Sequence, residues 1–432
     1  MSVMISSIIP ANQYCVKIFD GTHDTPKPVK DGRPLVTSKN ILGGKLNLID
    51  TYNISEENYR SIQKRSAVSQ WDVLFSMIGS IGEVYLEKNT DIQYAIKNVG
   101  VFSCGDEYKA KWLYYYLLSP ASKTFIKNYL AGAVQKFLAL GTLREYPILP
   151  FDSSKKSGVD LLNAIDSKIE LNNRINAELE QMAKTLYDYW FVQFDFPNQN
   201  GKPYKKNGGK MVWSEKLKRD IPEGWEVTKM SEWIDLNKSG DWGKEEPEGN
   251  YLKKVICIRG TDINGLNGLD ELKPPIRYIL EKNSFKILLS HDLIVEISGG
   301  SPTQSTGRLA FITDSTIKRF ENPLICSNFC KPISIKNKKL LYNFVYYWNS
   351  LYDAGVFFGY EGKTSGIKNL LLDSFVSSYY TVVPDEKIVD QFYDIMENIQ
   401  NKKQTVLAEN KKLSELRDWL LPMLMNGQVA VK

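Results

Sequence analysis

Histidine is almost missing: two residues, His23 and His291, in a chain of 432. So small a supply argues against histidine-based general acid–base catalysis, and neither residue has a recognisable catalytic setting. His23 lies in the polar stretch THDTPKP and His291 opens an apolar run. Cysteine is scarce and odd in number: Cys15, Cys104, Cys257, Cys326 and Cys330. A scattered odd set fits buried thiols in a reducing compartment better than a disulfide framework. Only Cys326 and Cys330 are close, and a structural zinc site needs about four ligands, so no metal is expected. No apolar run approaches the roughly 18 residues of a membrane span. The start, MSVMISSIIPANQYC, lacks the charged segment and cleavage site of a secretory leader. A cytoplasmic chain is expected.

Catalytic signatures are missing too. No G-x-G-x-x-G follows a strand, and neither H-E-x-x-H nor G-x-S-x-G occurs. Gly362-Lys363-Thr364 matches the end of a phosphate-binding P-loop, but Phe357 stands where its first glycine belongs. The acidic run Glu245-Glu246-Pro247-Glu248 sits in a Gly/Pro-rich stretch and reads as solvated. Lys273-Pro274-Pro275-Ile276 lacks the polar and aromatic ends of an amino-methyltransferase motif.

The composition is that of an ordinary globular chain, 43% apolar and 24% charged, which excludes general disorder. The net charge is +5. Residues 1–157 hold 19 Lys and Arg against 14 Asp and Glu, whereas residues 226–384 hold 19 against 18. One stretch is locally basic: Lys202, Lys205, Lys206, Lys210, Lys216, Lys218 and Arg219 are accompanied only by Glu215 and lie in a Gly-rich segment. It reads either as a linker that grips phosphate or as a solvated loop.

Two long charged segments, about 158–194 and 385–421, have helical periodicity. Leu162, Ile165, Ile169, Asn172, Asn176, Leu179, Ala183, Leu186 and Trp190 follow alternating spacings of three and four, the seam of a coiled coil. Shifting each position by 230 gives Phe392, Ile395, Ile399, Lys402, Val406, Glu409, Leu413, Leu416 and Leu420, again with apolar ends and a partly polar middle. Two matched seams in one chain most simply pack on each other.

The regions preceding the helices also echo each other. Asn40-Ile41-Leu42-Gly43 answers Asp262-Ile263-Asn264-Gly265. Trp71-Asp72-Val73-Leu74-Phe75 answers His291-Asp292-Leu293-Ile294-Val295, and both read as buried strands. Each runs into a glycine-rich loop, Ile78–Gly82 or Ser298–Gly307. Aromatic helices follow, KWLYYYLLSP and YNFVYYWNSLY. Gly132–Leu138 then answers Gly362–Lys368, and Pro150 and Pro384 precede the long helices. A kept scaffold with unlike loops fits one framework carrying two binding surfaces. Glycine lets backbone N–H groups approach phosphates, and polar side chains suit phosphate oxygens or base edges. The candidates are Ser80, Gln135 and Lys136 in the first region. In the second they are Arg259, Gly299, Gly300, Ser301, Gln304, Ser305, Arg308, Lys363, Thr364 and Ser365.

Four stretches resemble the specificity subunit of type I restriction-modification enzymes: AGAVQKFLALGTLREYPILP, IDSKIELNNRINAELEQMAKTLYDYWFVQFDFP, DIPEGWE and LSELRDWLLPMLMNGQV. The resemblance implies an α+β fold: two globular α/β target recognition domains, two long antiparallel coiled-coil helices, and a pseudo-twofold internal repeat. The expected divisions are a first recognition domain at 1–156, a first spacer helix and its end at 157–199, and a basic linker at 200–221. A second recognition domain spans 222–384 and a second helix with its tail 385–432. The resemblance further implies double-stranded DNA as ligand, each domain reading one half of a split target. It implies two methyltransferase subunits, and restriction or translocase subunits, as partners. S-adenosylmethionine, ATP and Mg would sit on those partners, and the chain itself would catalyse nothing. From the residues alone, a DNA-modifying enzyme with unrecognised motifs and a coiled-coil adaptor that never touches DNA stay open.

Overall fold

The computed structural model describes residues 8–131, 137–270, 272–301, 303–364, 366–429 and 431. It divides into two units: residues 1–169 with 412–432, and residues 170–411.

In the first unit, a four-stranded antiparallel sheet runs in the order Lys17–Asp20, Val99–Ser103, Asp72–Ser76, Val84–Leu86. A three-stranded sheet runs Tyr52–Ile54, Arg33–Thr37, Ala95–Lys97, its first pair antiparallel and its second parallel. A short ladder joins Ile9–Pro10 to Pro147–Ile148. The second unit repeats this plan strand for strand. Its four-stranded sheet is Ile234–Asp235, Cys330–Ile335, Asp292–Glu296, Leu309–Phe311. Its three-stranded sheet is Ile276–Leu280, Tyr251–Ile258, Leu324–Cys326, again antiparallel then parallel. Glu226–Lys229 pairs with Tyr380–Val383.

The repeat extends to single hydrogen bonds. Asp72 and Asp292 open the central strands, whose five residues are all buried. Asp72 accepts the Ser69 N–H at 2.8 Å and Asp292 the Leu289 N–H at 2.7 Å. The preceding residues, Trp71 and His291, sit at φ of 68° and 75°. Side chains that bulky rarely take the left-handed region, at a cost of about 1–2 kcal/mol. Both are held there by their own N–H groups, which donate at 2.7 Å to Glu87 O and to Ile312 O.

The second unit also carries a sheet of Ser298–Gly299, Ile367–Leu370 and Glu361–Thr364. The first has an antiparallel bridge of Ile78 with Phe137 at the matching place. The basic segment contains a hairpin, Met211–Ser214 with Arg219–Pro222. Three of its cations are held by carboxylates: Lys206 by Asp195 at 3.1 Å, Lys218 by Glu215 at 2.8 Å, and Lys210 by Glu223.

The long helices span Lys156–Tyr187, continued by a π turn at Asp188–Val192, and Glu386–Met425. Asp152 and Asp385 accept backbone N–H groups where these segments begin. Gly427, at φ 68°, closes the second helix. In the first unit Asp166 binds Arg417 at 3.0 Å, and Leu162 and Ile165 share a core with Leu420 and Leu424. In the second, Asn172 donates to Asn410 at 2.8 Å, Glu180 pairs with Lys403, and Tyr187 meets Phe392. Partners on one helix descend in number as those on the other rise, so each pairing is antiparallel.

On the first helix every expected seam residue is buried or half-buried, including Leu179 and Leu186. The second helix corrects the expected register. Phe392, Ile399, Val406, Leu413 and Leu420 are buried or half-buried, but Ile395 and Leu416 are 40% and 43% exposed, and Lys402 faces solvent. Glu409 is exposed, although it accepts from Asn172 at 2.8 Å. The inward positions are one residue later: Met396, Lys403, Asn410 and Arg417. The cause is cross-helix pairing. Lys403, Asn410 and Arg417 each find a partner on the first helix, and Met396 is fully buried.

All five cysteines are buried and free. Among the described residues no helix is long and apolar enough to cross a membrane.

Candidate nucleic-acid interface

In the second unit the strand Asp292–Glu296 delivers a buried carboxylate to the foot of the glycine-rich loop. Arg308 closes that loop with a two-pronged bond to Glu296, its Nε and Nη2 each 2.8 Å from a carboxylate oxygen. A second buried carboxylate, Glu361, takes the Thr306 N–H at 2.7 Å and hydroxyl at 3.1 Å, and pairs with Lys368 at 3.2 Å. Lys368 also donates to Gln304 O at 3.1 Å. Gly307 stands at φ 102°, and a Cβ there would meet the Phe357 ring at 3.1 Å, so only glycine fits. The loop is thus anchored by ion pairs beneath it, and the Gln304 side chain is left exposed at its crest.

A cleft of about 810 Å³ opens at this loop. It gathers Arg259, Gly299, Gly300, Ser301, Gln304, Ser305 and Arg308, residues separated by up to 49 positions in sequence. Their availability differs. Arg308 is committed to Glu296, and Ser305 is buried. Arg259 grips buried Asp262 with Nε at 2.7 Å and Nη2 at 3.0 Å, and donates to Lys273 O at 3.0 Å. That pairing raises its already high pKa. Ser301 Oγ accepts the Gln304 N–H at 3.2 Å. Lys363 and Thr364 belong to the outer strand Glu361–Thr364. Ser365 lies outside the described residues.

The first unit has a cleft of about 910 Å³, formed where the edge strand Lys17–Asp20 meets the segment after Phe137. Ser80 is exposed on the turn after Asp72–Ser76, where its carbonyl accepts from the Ser76 hydroxyl, and it is not among the cleft residues. Gln135 and Lys136 lie outside the described residues. The cleft instead assembles Lys17, His23, Arg65, Asn98 and Arg144, none of which the sequence offered as a DNA contact. Asp20 anchors the group, with His23 Nε2 at 3.0 Å and Arg65 Nη2 at 3.5 Å. His23 Nδ1 is 2.7 Å from Asn98 Oδ1. These residues come from segments up to 127 positions apart, and no local pattern links them. In the second unit, Trp242, Asn264 and Phe329 were missed for the same reason.

Both units therefore offer an open cleft near the loop that follows a shared central strand, and the two linings are unlike. The molecule is a duplicated scaffold that carries two unlike clefts. Residues 29–181 match the family described as Type I restriction modification DNA specificity domain. The chain is 22% identical over 401 residues to the type I restriction enzyme MjaIX specificity subunit of Methanocaldococcus jannaschii, covering 88% of this chain and 82% of that one. It is 23% identical over 421 residues to the HindI specificity subunit of Haemophilus influenzae, covering 85% and 88%. Among solved structures it is similar to the type I restriction-modification S subunit from M. genitalium, with a TM-score of 0.49 at 13% identity over 98% of this chain and 97% of that one. It is also similar to the HsdS subunit from Thermoanaerobacter tengcongensis, with a TM-score of 0.30 at 13% identity over the same shares. The sequence likenesses are to type I restriction-modification specificity subunits, over 29–181 for the family and over most of the chain for the two relatives.

Proposed function

We propose that the chain is the DNA sequence-specificity subunit of a type I restriction-modification complex. Each unit reads one half of a bipartite duplex target, and the long helices set the gap between the halves and dock methyltransferase subunits. One observation carries this reading: the same strand order occurs twice, while the clefts on it are lined by different side chains. Direct readout needs polar groups at base edges, and phosphate contacts set register. The loop crest with Gln304 and the cationic cleft with Lys17 and Arg144 supply both kinds of group.

Catalysis falls to the partners in this account. Methyltransferase subunits carry S-adenosylmethionine, and restriction or translocase subunits use ATP and Mg. The complex works in the cytoplasm, where its DNA is. The purified chain with duplex DNA and either S-adenosylmethionine or Mg²⁺ should give no product. Adding the methyltransferase subunit should give methylation at a split motif. Turnover by the chain alone sinks the proposal, as does a complex that enriches no split motif from random-sequence duplex.

A further inference from the structure

The two clefts differ in how their charges are spent. In the first unit, Lys17, Arg65 and Arg144 face one carboxylate, Asp20, which already holds Arg65 and His23. Lys17 Nζ lies 4.3 Å from the Phe19 ring centre. Among the described residues neither Lys17 nor Arg144 makes an ion pair, and both are exposed. Beside them the rim carries the exposed apolar side chains of Ile78 and Phe137. In the second unit the cleft's two arginines are both used internally, Arg259 by Asp262 and Arg308 by Glu296. Asp270 and Glu296 balance their charge within the lining. What that cleft turns outward is neutral or acidic: Gln304, the exposed Phe329 ring and Asp270, with no cation left unpaired among the described lining residues.

Resting on the specificity-subunit reading above, in which each unit still reads its own half-target, we infer that electrostatic affinity for DNA is shared unequally between the two clefts. The first cleft is the phosphate grip, with Lys17 and Arg144 binding the duplex backbone. The second reads bases through neutral groups, Gln304 first among them, and contributes little electrostatic affinity. The physical ground is counterion release: only cations left unpaired in the free protein displace condensed ions when phosphate arrives. An arginine already held by a buried carboxylate displaces few.

The test is a salt titration of duplex binding by the complete complex of this chain with its methyltransferase subunits, followed by fluorescence anisotropy. Two duplexes are used, one carrying the methylated motif and one scrambled. Lys17→Gln combined with Arg144→Gln should weaken binding to both duplexes by a similar factor. It should also flatten the slope of log K against log salt by about 1.8, roughly 0.9 for each lost phosphate contact. Lys17→Arg combined with Arg144→Lys should restore the slope, because a phosphate contact needs charge rather than a particular cation. Gln304→Ala should leave the slope intact and lower the preference for the motif roughly tenfold, the scale of one lost base contact. An unchanged slope in the double glutamine variant, with wild-type binding normal, overturns this inference alone. So does a slope that the Gln304 variant flattens equally. A wild-type complex that binds neither duplex removes the specificity-subunit reading as well.

Discussion

Arg308 and Glu296 meet with side chains only 15% and 9% exposed, so neither charge is released to solvent if the other is removed. Arg308→Gln should cost about 3–5 kcal/mol by leaving Glu296 buried without its partner. Paired replacement by apolar residues, Arg308→Met with Glu296→Leu, should cost much less. Urea unfolding of the three proteins checks the order, and equal losses would contradict it. The thiols make a second residue-scale prediction. Burial pushes Cys257 and Cys330 up to about 12, so about one thiol in ten thousand is ionised at pH 8, and the thiolate is the reactive form. Native protein should label slowly with a thiol reagent, and rapid labelling before unfolding would contradict the buried placement. Which residues line the clefts was only partly legible in the sequence. Loop residues such as Ser301 and Gln304 stood out because glycine-rich segments announce themselves. Lys17, His23 and Arg144 did not, because a cleft assembled from distant segments leaves no local pattern.

At the scale of elements, the helix register gives the sharpest comparison. Met396 is fully buried and Ile395 is 40% exposed. Met396→Ala should therefore cost about 2–5 kcal/mol, and Ile395→Ala under about 1 kcal/mol. Thermal unfolding of the two variants reverses this order if the seam instead follows Ile395. The polar middle behaves differently. Asn176 is 4% exposed and, among the described residues, neither end of its amide has a partner. Asn176→Leu should raise stability by about 1–3 kcal/mol by removing that unpaired group, and a loss would show that the amide is satisfied in solution. The spacing of the first helix was readable from Leu162 to Trp190. The second misled because Ile395 and Leu416 are apolar and sit three residues from true seam positions. Lys403, Asn410 and Arg417 turn inward only because Glu180, Asn173 and Asp166 receive them. A single sequence does not carry that information.

For the whole molecule, the duplication is the organising fact. It was visible in the echo of Trp71–Phe75 and His291–Val295, and the strand orders extend it to both sheets of each unit. The divisions between parts were less visible. Each unit takes a stretch from both long helices. Long-range helix pairing decides where a unit ends, and composition does not register it. The duplication also says which manipulation is most informative. In the proposed complex, residues 1–150 should be exchanged for the corresponding region of one of the similar specificity subunits, and methylated positions mapped across genomic DNA with a methyltransferase subunit present. One half of the split motif should change while the other half and the gap stay as they were. A change in both halves, or methylation at an unsplit motif, would contradict two independent readers on one scaffold.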